Sequence, residues 1–190
     1  MYDGTLLCVH GIDCQKEKIK LKIGRMPFSV IHYHYQNKKP LMESYGSLGF
    51  QAKIYNPTRT HVLIGQRVSS SEYKPGYYAF PGGILEKKDL PGTIAEACLR
   101  EITEETSLEI NTETFRILVV FREDHKVATG ILVEVETKKE IDVNKNEKLT
   151  ILGNEEWEKN ELTWFPVTQV KELKNEQTLE GLTIIINDEL

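Results

Sequence analysis

Arg100-Glu101-Ile102-Thr103-Glu104-Glu105 places three carboxylates within five residues of a stretch that reads as a helix. Glu101 and Glu105 stand at i,i+4, and Glu101 and Glu104 at i,i+3. All three therefore project from overlapping sides of one helix. Like charges packed this way repel by about a few tenths of a kcal/mol per pair on an open helix. A hard divalent cation turns that repulsion into a binding site, because Mg²⁺ takes oxygen ligands and is commonly held by one or two carboxylates together with substrate phosphates. A solvated acidic face, partly neutralised by Arg100, would explain the same residues without any function. The residues upstream decide between the two.

Phe80-Pro81-Gly82-Gly83 follows a strand-like run and forms a tight turn with little side chain. Such a turn lets backbone approach a ligand closely. Pro91-Gly92 then breaks the chain, and Thr93-x-x-Glu96 fits a capping box at the start of a helix. Ala95, Cys98, Leu99, Ile102 and Thr106 recur at helical spacing and are the expected buried stripe, with Arg100, Glu101, Glu104 and Glu105 falling away from it. The expected layout is strand, glycine loop, and a helix with one packed and one acidic face.

The segment Gly83–Leu108 resembles the signature of the Nudix hydrolases, G-x5-E-x7-R-E-U-x-E-E-x-G-U, in which U is a bulky apolar residue. Gly83, Arg100, Glu101, Ile102, Glu104, Glu105 and Leu108 fit it. Asp89 stands where the first glutamate belongs, three extra residues separate it from Arg100, and Ser107 replaces the second glycine. His61–Arg67 resembles the strand that precedes the glycine loop, and Glu161–Pro166 the late strand of the sheet, so the resemblance covers roughly residues 45–188.

The resemblance implies an α+β fold, the Nudix α/β/α sandwich with a mixed sheet. It also implies hydrolysis of a diphosphate bond in a nucleoside diphosphate linked to another group. A diphosphate repels an attacking water, and divalent cations neutralise its oxygens and lower the pKa of bound water. On this reading Glu101 and Glu105 are the principal ligands of Mg²⁺ or Mn²⁺, with backbone of Gly82 and Gly83 beside the ion. Glu104 is a further ligand or holds Arg100, which orients the carboxylates. The general base is sought among Glu155, Glu156, Glu158 and Glu161, with Glu158 the candidate. Arg67 and Arg122 are candidate phosphate contacts, and Tyr77 or Tyr78 a candidate stacking surface for a base. A faint likeness to the coenzyme-A-type pattern fails at Glu72, where that pattern has arginine. No proline near position 122 marks an ADP-ribose-type member. A nucleotide sugar, a dinucleoside polyphosphate and a nucleoside triphosphate remain open as substrates.

Two readings from other classes compete with the hydrolase. One is a Nudix-fold module that senses a nucleotide without cleaving it. Loss of signature carboxylates would favour that, and none is lost. The other is an isomerase or decapping enzyme on the same fold. Cys98 falls on the expected core face, where burial rather than catalysis is the reading.

The chain has 190 residues, the size of one domain or one domain with an elaboration. The division expected is a β-rich amino-terminal extension, residues 1–44, before a hydrolase domain, residues 45–190. A net charge of −5 without a basic stripe gives no reason to expect nucleic acid. No apolar run of 18 residues and no basic-then-apolar leader is present, so no membrane span is expected. Three cysteines, an odd number without a CxxC pair, point to reduced thiols and a cytoplasmic setting. The amino-terminal strands are a candidate homodimer interface.

Within residues 1–44, Ile19, Leu21 and Ile23 alternate with lysines, and Ile31, Tyr33 and Tyr35 alternate with His32 and His34, predicting short strands. On a strand His32 and His34 share one face, with no third metal ligand in sight. Gly49–Tyr55 and His61–Arg67 read as a strand pair about a turn at Asn56–Arg59, and Phe115–Arg122 and Val127–Val135 as a hairpin. Residues 136–160 read as a loop with short strand pieces. Val170 and Leu173 suit a helix, and Leu179–Leu190 a second helix or a terminal strand.

Overall fold

The computed structural model describes residues 4–15, 18–37, 46–71, 74–122, 128–141, 149–150, 157–173, 178 and 182–183. Strands β1 (Thr5–Gln15) and β2 (Lys18–Pro27) form an antiparallel hairpin that leads into helix α1 (Phe28–Gln36). Strands β3 (Ser47–Tyr55), β4 (His61–Arg67) and the short β5 (Tyr78–Ala79) follow. Helix α2 (Ile94–Thr106) separates them from β6 (Ile110–Arg122), β7 (Ala128–Thr137), β8 (Leu149–Thr150) and β9 (Trp157–Pro166).

The described strands form one mixed sheet of nine. Its centre is a parallel pair, β3 against β7, in register from Ser47 opposite Ala128 to Tyr55 opposite Glu136. Parallel neighbours need a long crossover, and the crossover here contains α2. The β1–β2 hairpin joins at β3 through Cys8 opposite Ser47, β6 flanks β7, and β9 flanks β4.

Alternation along the strands builds two cores. Leu63 packs with Leu48, Phe50, Ala52 and Ile54 of β3 and with Ala97, Cys98 and Ile102 of α2. Its neighbours Val62 and Ile64 face the other way, with Tyr55, Phe80, Leu132, Val170 and Leu182. Helix α2 therefore covers one face, and the 3-10 helix at Val167–Glu172, with Leu173 and Leu182, covers the other. This is the α+β sandwich expected.

Phe28–Gln36 is a helix, where alternation predicted a strand. Its residues satisfy both periods, since Phe28, Ile31 and Tyr35 also fall at i, i+3 and i+7. His32 stacks on Phe28, with ring centroids 5.6 Å apart, and Tyr33 meets His34 edge-on. Residues two apart on a helix do not face each other, so the shared face expected for His32 and His34 is absent. Val170 lies in a short 3-10 helix, not an α-helix, and Leu173 is its C-cap, with its N–H bonded to Val170 O in the i to i+3 pattern. Strand β9 begins at Trp157, inside the stretch read as a loop. Much of Leu179–Leu190, and Glu155 and Glu156, lie outside the described residues.

The β3–β4 turn is locked from inside. Asn56, fully buried, takes the His61 N–H on Oδ1 and donates from Nδ2 to Thr58, Thr60 and Glu140. Arg59 lies over the Tyr55 ring and pairs with Glu134 at 3.0 Å and Glu136 at 2.7 Å on β7.

Helix α2 starts with the capping box read from Thr93 and Glu96. It ends at Ser107, which takes the left-handed conformation at φ 54° and ψ 19°. Glycine adopts that conformation without the Cβ conflict that costs other residues about 1–2 kcal/mol. Ser107→Gly should therefore stabilise the protein by about 0.5–1 kcal/mol, read as a rise of roughly 1–4 °C in Tm by thermal unfolding.

Candidate active site

The glycine loop is pinned to β3 as an added edge. Ala52 N–H donates to Pro81 O at 2.7 Å, Phe50 N–H to Gly83 O at 2.9 Å, and Leu85 N–H to Leu48 O at 2.8 Å. On its far side Leu7 N–H of β1 donates to Leu85 O at 2.9 Å. A Cβ at position 82 would lie 2.1 Å from Phe50 O, so only glycine permits this approach.

Helix α2 docks beside the loop through Ala97, Cys98, Ile102 and Thr106, all buried. Ala97 replaces Ala95 in the expected stripe, and Glu105 joins the stripe instead of facing water. The reason is a partner distant in sequence: Glu105 Oε2 accepts the Gly82 N–H at 3.0 Å. A buried carboxylate is tolerable when it is hydrogen-bonded. Glu101 reaches the same place. A Cβ built on Gly83 would lie 3.5 Å from Glu101 Oε2 and 3.8 Å from Glu105 Oε1, so two carboxylates converge where Gly83 has no side chain.

Arg100 holds this arrangement. Its Nη2 donates to Asp89 Oδ1 and to Glu101 Oε1, the latter at 2.5 Å, and its Nη1 donates to Glu104 Oε2 at 2.7 Å. Asp89 is only 2% exposed, and its second oxygen accepts Glu86 N–H at 2.7 Å. The three extra residues after Asp89 thus leave its carboxylate on Arg100. Partial burial acts to lower the Arg100 pKa, but the hydrogen bonds to Asp89, Glu104 and Glu101 outweigh it and raise the pKa above its ordinary value. The guanidinium is a fixed cation at any working pH.

Cys98, on the core side of α2, is pushed up to about 12, chiefly by burial and then by the negative charges of Asp89 and Glu101. No useful thiolate forms there at neutral pH, which leaves the isomerase reading without a nucleophile at this position.

The donor chemistry fits a hard divalent cation. Among the described residues no three His, Cys, Asp or Glu side chains form a ready cage. Glu101 and Glu105 nevertheless converge, while Glu104, 56% exposed, is turned to Arg100. Two carboxylates, with the remaining positions left to water and phosphate, is the way Mg²⁺ is commonly held.

The remaining candidates from the sequence come from the strands of the sheet. Arg67 ends β4 and donates from Nε and Nη2 to Ser71 Oγ at 3.2 and 2.8 Å. Tyr78 packs on the face opposite α2, edge-on to Phe165 with centroids 6.3 Å apart. Arg122 ends β6 and Glu158 lies in β9, and the side chains of both are outside the described residues. The clamp from Asp89 was not read from the sequence. Its trace there is Glu86-x-x-Asp89, which forms a capping box around the 3-10 turn Lys87–Asp89.

Two measurements test this geometry. Asp89→Ala leaves a buried N–H and part of a guanidinium unpaired, and should destabilise the fold by roughly 1–3 kcal/mol in urea unfolding. Alkylation with iodoacetamide at pH 8, mapped by mass spectrometry, should spare Cys8 and Cys98 in the native protein and modify both after unfolding, because both are fully buried.

Comparison with known proteins places the fold. Tm1382, a candidate Nudix hydrolase, superposes over 98% of each chain with a TM-score of 0.63 at 13% identity. The MutT protein of Methanosarcina mazei Go1 matches with a TM-score of 0.52 at 16% identity, over 75% of this chain and 94% of that one. A bifunctional NMN adenylyltransferase/ADP ribose pyrophosphatase from Francisella tularensis, complexed with AMP and a manganese ion, has a TM-score of 0.52 at 19% identity, over 85% of this chain and 46% of that one. No curated protein matches in sequence. No described helix is long and apolar enough to cross a membrane. A family model, the NUDIX domain, matches residues 49–183, a span that contains the glycine loop, Asp89, α2 and all but the first two residues of the parallel strand pair. The chain belongs to the Nudix family of pyrophosphohydrolases.

Proposed function

We propose that the protein is a divalent-metal-dependent hydrolase cleaving the diphosphate linkage of a nucleoside diphosphate derivative: a nucleotide sugar, a dinucleoside polyphosphate or a nucleoside triphosphate. The observation that carries this reading is the convergence of Glu101 Oε2 and Glu105 Oε1 beside Gly83. Mg²⁺ or Mn²⁺, when bound, supplies neutralisation of phosphate charge and a lowered pKa for water. Glu101 and Glu105 hold the ion, and Gly83 keeps the space between them clear of side chain. Arg100 sets the direction of Glu101 through the 2.5 Å bond, and Glu104 serves by holding Arg100. Arg67 and Arg122 are the proposed phosphate contacts, Tyr78 the proposed base contact and Glu158 the proposed general base. The Francisella relative, complexed with AMP and manganese, supports a nucleotide and a divalent ion as ligands. A homodimer through the amino-terminal strands is part of the proposal, and gel filtration at micromolar concentration reads it directly.

The test is turnover of a panel of nucleoside diphosphate derivatives with Mg²⁺ or Mn²⁺, detecting phosphate after a phosphatase step. Glu101→Gln should lose roughly 100-fold or more in rate and keep its melting temperature within a degree or so. Full activity in that variant overturns the assignment. Silence of the wild type across the panel, with Mn²⁺ and nucleotide still bound, replaces the hydrolase with a nucleotide-binding module.

A further inference from the structure

The turn that carries Asp89 also carries a cation that the family signature does not specify. Lys88 is the middle residue of the 3-10 turn Lys87–Asp89. Its Nζ stands 3.6 Å from Glu86 Oε2 and 4.0 Å from Glu101 Oε1. The turn is fixed by Glu86 N–H to Asp89 Oδ2 at 2.7 Å, Asp89 N–H to Glu86 O at 3.0 Å, and Leu90 N–H to Lys87 O at 3.2 Å. Asp89 in turn is bound to Arg100. The Lys88 backbone is therefore anchored beside the acidic helix, while its side chain is 55% exposed and its flexible stem can redirect the charge.

Two cations thus address Glu101 Oε1. Arg100 does so at 2.5 Å, held by Asp89 and Glu104 as well. Lys88 does so at 4.0 Å, the limit of an ion pair, with Glu86 at a similarly long distance. Such an exposed pair adds little stability by itself. Its consequence is electrostatic. A dication on Glu101 repels an ammonium held nearby. The diphosphate that accompanies the ion then becomes the strongest anion within reach of Lys88.

We propose that Lys88 is a positioning residue for the substrate's diphosphate. It partly neutralises Glu101 before the ion arrives and turns to the phosphate oxygens afterwards, as a compact point charge suits phosphate. The proposal rests on the reading of Glu101 as a metal ligand.

The test uses the full chain, with Mn²⁺ alone followed by electron paramagnetic resonance, and imidodiphosphate as an uncleaved diphosphate probe at saturating Mn²⁺. Lys88→Gln should bind Mn²⁺ alone about two- to fivefold more tightly, since a repelling charge is gone. It should bind imidodiphosphate roughly three- to tenfold more weakly. Lys88→Arg should retain both wild-type affinities. Opposite signs for ion and diphosphate are what a merely structural lysine would not produce. No change in either, or a parallel loss of both, overturns the proposal. Glu101→Gln measured alongside separates the two claims. If it binds Mn²⁺ like the wild type, the metal assignment is wrong. If it loses Mn²⁺ while Lys88→Gln behaves as wild type, only the role of Lys88 fails.

Discussion

The directions of Glu101 and Glu104, and the closure of the loop at Asp89, depend on one guanidinium shared among three carboxylates. Arg100 ties Asp89 of the loop to Glu101 and Glu104 of the helix. Without it, the negative charges of α2 would repel one another and the loop. With it, each carboxylate has one direction. The bonds to Asp89 and Glu101 form where water competes poorly, that to Glu104 is exposed, and the planar fork of arginine engages all three acceptors at once. Glu105 is fixed separately, by a backbone N–H from the loop. Helix and loop are thus joined by two unlike contacts, one ionic and one to a peptide group, on either side of the opening above Gly83.

The contribution of β1 lies on the opposite edge of the same loop. Leu85 gives its N–H to β3 and takes an N–H from β1, so the loop is bonded on both sides like an interior strand. Leu7 and Val9 of β1 also enter the core that receives α2. The hairpin at the amino end therefore supports the acidic helix from below, although it lies before the family-matched span beginning at residue 49.

Local patterns made much of this legible. The capping box at Thr93, the apolar spacing through Ile102 and the tight turn at Gly82-Gly83 are all properties of neighbouring residues, and they placed Arg100, Glu101, Glu104 and Glu105 on one helix. What escaped was non-local or degenerate. Burial of Glu105 depends on an N–H 23 residues away. The meeting of Asp89 with Arg100 depends on how an enlarged loop closes, which spacing alone does not state. Phe28–Gln36 satisfies both a strand and a helix period, and the alternation of Ile31, Tyr33 and Tyr35 with His32 and His34 does not decide between them. The packing of Tyr78 beside Phe165 is likewise set by which sheet face the residue occupies, which residue type does not state.

Gly82 has a wider meaning than the room it saves. Phe50 O occupies the volume that any side chain at 82 would need. A side chain there would have to push the central strand aside, so the floor under Glu101 and Glu105 is set by main chain alone. One contact between two peptide groups therefore fixes the level at which the two carboxylates meet.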